Sequence, residues 1–322
     1  MNSLFNAEDA IRPIDFISTN ILCLGLSCSS PDFYSSKLLA IPPRLQWDDN
    51  NGYCGETSIQ TLALYYGAWI SQKTIRDIGG GEILLGDNME PVLTTLGFDY
   101  ESWDNNKESP QFENFMAWLK GHLLKGNPGI FAVYLSDAGE DDSAYDHIEP
   151  VIGVVGQGNS SFNLNDRLFF YNNFDYKYMN RSFSHLSSTR KTCSSDLAHG
   201  GCVPKDTDYG VVLKGIIDQD HATYPLQLFV DTWDEPNLSK KENPKKMYGS
   251  VFISKLTVGN WYYLLRYDSH DVVPKSGDAA AFLNSNFVTK TKFQACQSFW
   301  YYSDPNPFSS ASTVYYRVVE VN

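Results

Sequence analysis

The chain has 322 residues, enough for two domains with cores of their own, and its 42% hydrophobic and 20% charged content is that of an ordinary folded globular protein. The formal net charge is −13, and Lys240-Lys241 and Lys245-Lys246 sit in a polar loop that reads as a solvated turn. This balance argues against a nucleic-acid partner, whose phosphates need a basic face. No apolar run approaches the ~20 residues a bilayer core requires, so no membrane span is expected.

Residues 1 to about 40 show no clear periodicity and read as an arm packed on the first domain. Within them, Ile21–Leu26 is short and lacks a basic flank, which makes a poor secretion signal. Pro42-Pro43 delivers an extended entry into Gln46-Trp47-Asp48-Asp49-Asn50-Asn51-Gly52-Tyr53-Cys54-Gly55. Immediately afterwards Ile59, Leu62, Ala63 and Tyr66 recur at i, i+3, i+4 and i+7, one face of a helix. Cys54 therefore sits at a helix N-terminus, where unpaired N–H groups and the macrodipole favour a thiolate. The structural alternative is a buried core cysteine.

Ser71 to Ile78 reads as a short helix ending at Gly79-Gly80-Gly81, a turn without the Lys-Ser/Thr of a phosphate loop. Asn88 to Leu96 is helical with Gly97 as its stop, and Phe98 to Trp103 alternates as a strand does. Phe112, Phe115, Met116, Leu119 and Leu123 mark another helix, followed by a strand from Ile130 to Leu135. The acidic loop Asp137–Asp142 lacks the ligand pattern of a calcium site and reads as solvated, with selection of basic substrates as the functional alternative.

His147 stands just before the apolar run Val151–Val155, at the start of a buried strand. The next apolar run, Leu168–Tyr171, ends in Asn172-Asn173-Phe174-Asp175. A cysteine nucleophile needs a base, and the base needs an orienting amide or carboxylate. This order supplies both, and Gln46 adds an amide donor for an oxyanion. Cys193, His199 and Cys202 are too loosely spaced for zinc, and no metal or cofactor is expected.

From about Tyr209 the pattern changes. Seven runs read as strands bounded by Pro, Gly, Asn or Asp: 209–217, 226–233, 248–255, 261–267, 287–293, 298–302 and 313–321. They predict a β-sandwich over 209–322, and 256–264 resembles the turn-then-strand of fibronectin-type modules. Residues 1–205 form the first domain, and the fold class is α+β.

The order Gln46, Cys54-Gly55 at a helix start, His147 before a strand and Asn172 after the next resembles that of papain-like cysteine peptidases. It is most similar to the branch related to bacteriocin leader-processing peptidases. The resemblance implies a papain-like fold, with Cys54 as nucleophile, His147 as base and acid, Asn172 as orienting group and Gln46 as oxyanion donor. The orienting position stays open among Asn172, Asn173 and Asp175. The resemblance further implies a peptide or protein substrate, and sulfur and imidazole within about 4 Å of each other. Glu56 after Cys54-Gly55 is also similar to the Cys-Gly-Glu of transglutaminase folds, which would pass the acyl group to an amine. A third reading is a non-catalytic binding or structural protein on a peptidase scaffold.

Of the six cysteines, Cys23 with Cys28 and Cys193 with Cys202 are close enough in sequence to pair, leaving Cys296 without an obvious partner. With the sequons at Asn159, Asn180 and Asn237, this favours an extracellular or secretory setting. The oligomeric state is not encoded in any pattern above.

Overall fold

The computed structural model describes residues 34–47, 52–134, 146–174, 178–188, 206–231 and 236–321. In chain order the first elements are β1 (Tyr34–Leu38), α1 (Cys54–Tyr65), β2 (Ala68–Ile70), α2 (Gln72–Gly79), α3 (Met89–Thr95), β3 (Phe98–Ser102) and α4 (Phe112–Lys125). Then follow β4 (Gly129–Tyr134), β5 (Asp146–Gln157), β6 (Arg167–Tyr171), β7 (Tyr178–Ser182), α5 (Phe183–Ser188) and β8 (Gly210–Ile216). The last third holds β9 (Leu226–Val230), β10 (Lys246–Met247), β11 (Gly249–Ser254), β12 (Trp261–Tyr267), α6 (Ala279–Leu283), β13 (Thr289–Gln294), β14 (Phe299–Ser303), β15 (Phe308–Ser309) and β16 (Thr313–Glu320). This mixture of helices and antiparallel sheets is the expected α+β class.

A seven-stranded sheet runs β3-β8-β4-β5-β6-β7, with β1 pairing the far stretch of β5. One face is covered by α4, through Phe115, Met116, Leu119 and Leu123 against Phe131, Val151, Phe170 and Val212. The other face meets α1 and α3 through Ile59, Leu62, Leu93, Ile130, Ile152 and Leu213. That same core continues into Leu265, Tyr267, Tyr315 and Val319 of a second sheet, ordered β13-β12-β16-β2. The far face of the second sheet (Tyr262, Leu264, Tyr316, Val318) closes on Leu228, Val251 and Ile253 of a third sheet, β14-β11-β9. Two antiparallel sheets over one apolar core give the last third a sandwich-like layering.

The expected boundary at residue 209 is not where the chain divides. β8 lies between β3 and β4 in the first sheet, pairing Tyr100 with Leu213 and Gly129 with Val212. Val211 and Leu213 enter one core and Val212 the other, so both faces of β8 are covered, as its continuous apolar run requires. Reciprocally, β2, from the first region, extends the second sheet by pairing Trp69 with Val314. The two regions interlock instead of following one another.

This layering explains α1. A helix with an amphipathic period normally hides one stripe. Here α1 packs against β5 on one side and β2, β9 and α2 on others, and every residue from Gly55 to Leu64 is buried. Its polar residues Glu56, Thr57, Ser58, Gln60 and Thr61 go in with the rest.

Candidate functional site

Cys54 is the first residue of α1, and the approach to it is pinned from α2. Gln72 accepts from the Trp47 N–H at 3.1 Å and donates to the Leu45 carbonyl at 2.8 Å. Arg76 bonds the Glu56 carboxylate at 2.6 Å, bonds the Gly52 carbonyl, and lays its guanidinium 3.5 Å from the centre of the Tyr53 ring. Burial nevertheless raises the Glu56 pKa to about 7 against the pull of Arg76. Gly55 is required for close approach, since a β-carbon there would lie 2.3 Å from the Ile83 carbonyl oxygen.

The thiol is half-buried in the side-chain layer and free of any disulfide. Burial pushes its pKa up to about 11, with the Glu56 charge adding to the rise. Backbone N–H groups of Ile148, Gly55 and Cys54 itself pull the other way and lose. The expected helix-end activation is present but outweighed by desolvation.

His147 sits on β5, fully buried, one residue from the amide that meets the thiol. Register fixes which way it points. Val133 lies opposite His147 and Phe131 opposite Glu149, both in the α4-side core, whereas Ile148 belongs to the α1-side core. Alternation along the strand thus sends His147 and Glu149 to the α4 face and Ile148 to the α1 face. The His147 ring stacks on Phe174 (centroids 4.6 Å apart, planes at 16°), and its Nε2 is 3.7 Å from a Glu149 carboxylate oxygen. Burial depresses its pKa to about 3, so the ring is neutral. The thiol meets the Ile148 N–H at the edge of β5 while the His147 ring lies on the α4 face, and among the described residues no hydrogen bond joins the two.

The edge of β5 beside Ile148 is where the polar groups converge. Asn173, fully buried, donates its amide to the Ile148 carbonyl (3.1 Å) and lies 3.2 Å from Ser58 Oγ and 3.3 Å from the Cys54 carbonyl. Ser58 Oγ bonds the Cys54 carbonyl at 2.7 Å and the Ile148 carbonyl at 3.3 Å. The first turn of α1 and Asn173 thus take the place a neighbouring strand would occupy, because β6 pairs with β5 only from Val151 onward. Gln46 joins through its backbone, whose N–H donates to the Asn173 carbonyl at 3.0 Å. Its side-chain oxygen is buried without a hydrogen-bond partner among the described residues.

Of the predicted residues, Cys54 and Gln46 meet at the strand that carries His147, whereas the His147 ring itself is turned to the α4 face against Phe174 and the expected sulfur–imidazole contact is not among the hydrogen bonds of the described residues. Of the adjacent asparagines it is Asn173 that enters the junction; Asn172 Oδ1 accepts from the Phe174 N–H at 2.8 Å and shapes the turn. Asp175 lies outside the described residues, as do the acidic loop 137–142, Cys23, Cys28 and the Cys193–Cys202 segment. Sequence reading passed over Glu149 and Phe174. A period of two from His147 would have placed Glu149 on the same face of the strand, while the folding back of Phe174 has no such signal. Compared with known proteins, the chain matches no family model and no curated protein.

Proposed function

We propose that this chain is a papain-like thiol hydrolase that cleaves peptide or related amide bonds through an acyl-enzyme on Cys54. The observation that carries the reading is the junction itself. A cysteine at a helix start, a histidine-bearing strand, an asparagine after the following strand and the Gln46 segment are drawn together from four distant stretches of chain. In this reading the Cys54 sulfur attacks the carbonyl, His147 takes the thiol proton and returns it to the leaving amine, and the Cys54 N–H with Gln46 receives the oxyanion. Water then releases the acyl group.

The resting site is neutral. Burial raises the thiol pKa and lowers that of the imidazole, a gap that disfavours a thiolate–imidazolium pair in the resting fold. In this reading the His147 ring leaves its stack on Phe174 to reach the thiol at the β5 edge. The same gap favours a second reading, a scaffold with no turnover. Incubating the protein with a fluorogenic peptide mixture and its Cys54→Ala variant separates the two. Cys54-dependent release supports the hydrolase, and release equal in both proteins eliminates it. Repeating the assay with an added primary amine distinguishes hydrolysis from acyl transfer.

A further inference from the structure

The third sheet, β14-β11-β9, turns one face to the sandwich core and the other to solvent. Leu226, Leu228, Val251 and Ile253 point inward, with Trp300 and Tyr302 packed against them. Alternation therefore sends Phe229, Phe252, Phe299 and Tyr301 to the outer face. Tyr248 joins them: a β-carbon on Gly249 would meet Leu228, so Gly249 faces inward and the residue before it faces out. Register puts Phe252 directly opposite Tyr301, and the Phe252 and Phe299 rings lie 5.7 Å apart. Tyr248, Phe299 and Tyr301 are 48%, 40% and 53% exposed, so these rings are presented to solvent and not folded away.

The rest of the face is polar but uncharged. Its remaining positions are Gln227 and serines, with Ser250 Oγ 3.3 Å from Ser303 Oγ across the strands. Along the outward positions of the three strands there is no aliphatic side chain and no charge, in a chain whose net charge is −13. Charge returns at the ends, at Lys255 and at Asp231, whose carboxylate accepts from the Tyr248 N–H at 3.0 Å. A nucleic acid or an anionic membrane would need basic residues there. Size argues against a protein partner. Three strands ~4.8 Å apart and five residues of ~3.4 Å give a face of about 14 by 17 Å, roughly 240 Å². A stable protein partner, or a second copy of this chain, covers about 800 Å² on each side.

A neutral sugar chain fits both the chemistry and the dimensions. A pyranose carries weakly positive C–H bonds on its face and hydroxyls around its rim. The faces of Phe and Tyr rings are negative and attract those C–H bonds. Serine hydroxyls and the Gln227 amide both donate and accept, as a sugar hydroxyl does. The platform is also preformed. β11 is paired on both sides, to β14 and to β9, which fixes the spacing of the rings before any ligand arrives. From inside, Trp300 of β14 stacks on Phe293 at 3.7 Å and backs the strand that carries Phe299 and Tyr301.

We propose that the outer face of the third sheet is a binding platform for a neutral polysaccharide, whose successive sugar rings stack on Phe252, Phe299 and Tyr301. This platform is independent of the hydrolase reading and is tested without turnover. The full chain is titrated calorimetrically with cellohexaose and with laminarihexaose, hexagalacturonate serving as the acidic control. At least one neutral hexasaccharide binds, and hexagalacturonate binds about tenfold more weakly or not at all. Tyr301→Ala and Phe299→Ala each weaken binding about tenfold, the loss expected for one stacked ring, with the melting temperature unchanged. Cys54→Ala leaves binding as it is. Binding of neither neutral hexasaccharide overturns the proposal, as does tighter binding of hexagalacturonate. Binding that survives in the Tyr301→Ala, Phe299→Ala double variant with its melting temperature intact overturns it as well. Sedimentation that shows self-association, lost in that double variant and with no sugar bound, would assign the face to a second copy and overturn the platform. Sugar binding without Cys54-dependent turnover supports the platform and removes the hydrolase reading alone.

Discussion

The junction around Cys54 and the sandwich-like core of the last third are both buried, yet they are built on opposite principles. Between the second and third sheets the interior is aromatic and aliphatic: Phe293 stacks on Trp300 at 3.7 Å, Tyr262 on Phe293 at 5.5 Å, and the Tyr316 hydroxyl finds Asp304 at 2.7 Å. Around Cys54 the interior is polar, and several polar atoms there go unmatched among the described residues. Gln46 Oε1, Trp47 Nε1, Thr57 Oγ1, Thr61 Oγ1 and Asn173 Oδ1 all lack hydrogen-bond partners, against Arg317 Nε alone among the strands after β8. Each such group costs about 1–3 kcal/mol.

The contrast breaks most sharply at the sulfur. If the junction is a reaction centre, Cys54→Ser lowers Cys54-dependent turnover by about 10³-fold or more, roughly 4 kcal/mol in the barrier, while the melting temperature stays close to wild type. A serine variant that turns over at the parent rate would reduce the junction to packing. Next in size is acid sensitivity. His147 is neutral in the fold down to about pH 3, whereas in the unfolded chain it gains a proton near its ordinary 6.5. The unfolded state binds more protons between those values, so stability is lost as pH falls from 6.5 toward 3, by up to about 5 kcal/mol. Glu56 acts with the opposite sign: held protonated up to about 7, it favours the fold as pH drops from 7 toward 4.5. Denaturant melts at pH 7 and pH 4 separate the two, because His147→Asn should remove the acid loss and Glu56→Gln should deepen it. Identical pH slopes in wild type and His147→Asn would mean the imidazole is not held neutral.

Much of the scaffold was legible in the sequence, and the reasons differ by element. The helix beginning at Phe112 follows its period because it presents one side to a core, whereas the strand at Trp261–Tyr267 was legible as an apolar run covered on both faces. β2 was missed because Ala68-Trp69-Ile70 is too short to show a period and gains its order from pairing with β16, more than 240 residues away. β8 was assigned to the wrong sheet because an apolar run specifies burial on both faces and not which neighbours supply it. At the site, the helix start and strand start announced Cys54 and His147. What the pattern could not convey is the layer above α1, which buries the thiol and reverses the expected direction of its pKa.

That reversal gives a prediction on the alkaline side. The unfolded thiol ionises near 9 and the folded one near 11, so stability is lost as pH rises through that interval, by up to about 3 kcal/mol. Cys54→Ala should abolish the loss. Iodoacetamide at pH 7.5, read by mass spectrometry, should label exposed Cys296 well ahead of Cys54, and Cys54 should catch up as the pH is raised. Faster labelling of Cys54 at neutral pH would show that the thiol is already activated.

The smallest difference is also the most local. Asn173 and Asn172 are chemically identical and adjacent, so comparing their alanine variants isolates position from residue type. Asn173→Ala removes an amide that bridges α1 and β5 and leaves the Ile148 carbonyl with one donor fewer, a loss of about 2 kcal/mol. Asn172→Ala removes an acceptor for one turn amide in a half-exposed loop, about 0.5 kcal/mol. If instead Asn172 orients the imidazole, its variant would keep its stability yet lose turnover and shift the pH profile, whereas Asn173→Ala would lose both stability and turnover together. Urea melts read beside pH–rate profiles distinguish these outcomes, and equal behaviour of the two variants in both measurements would dissolve the distinction between turn and junction on which the Asn173 assignment stands.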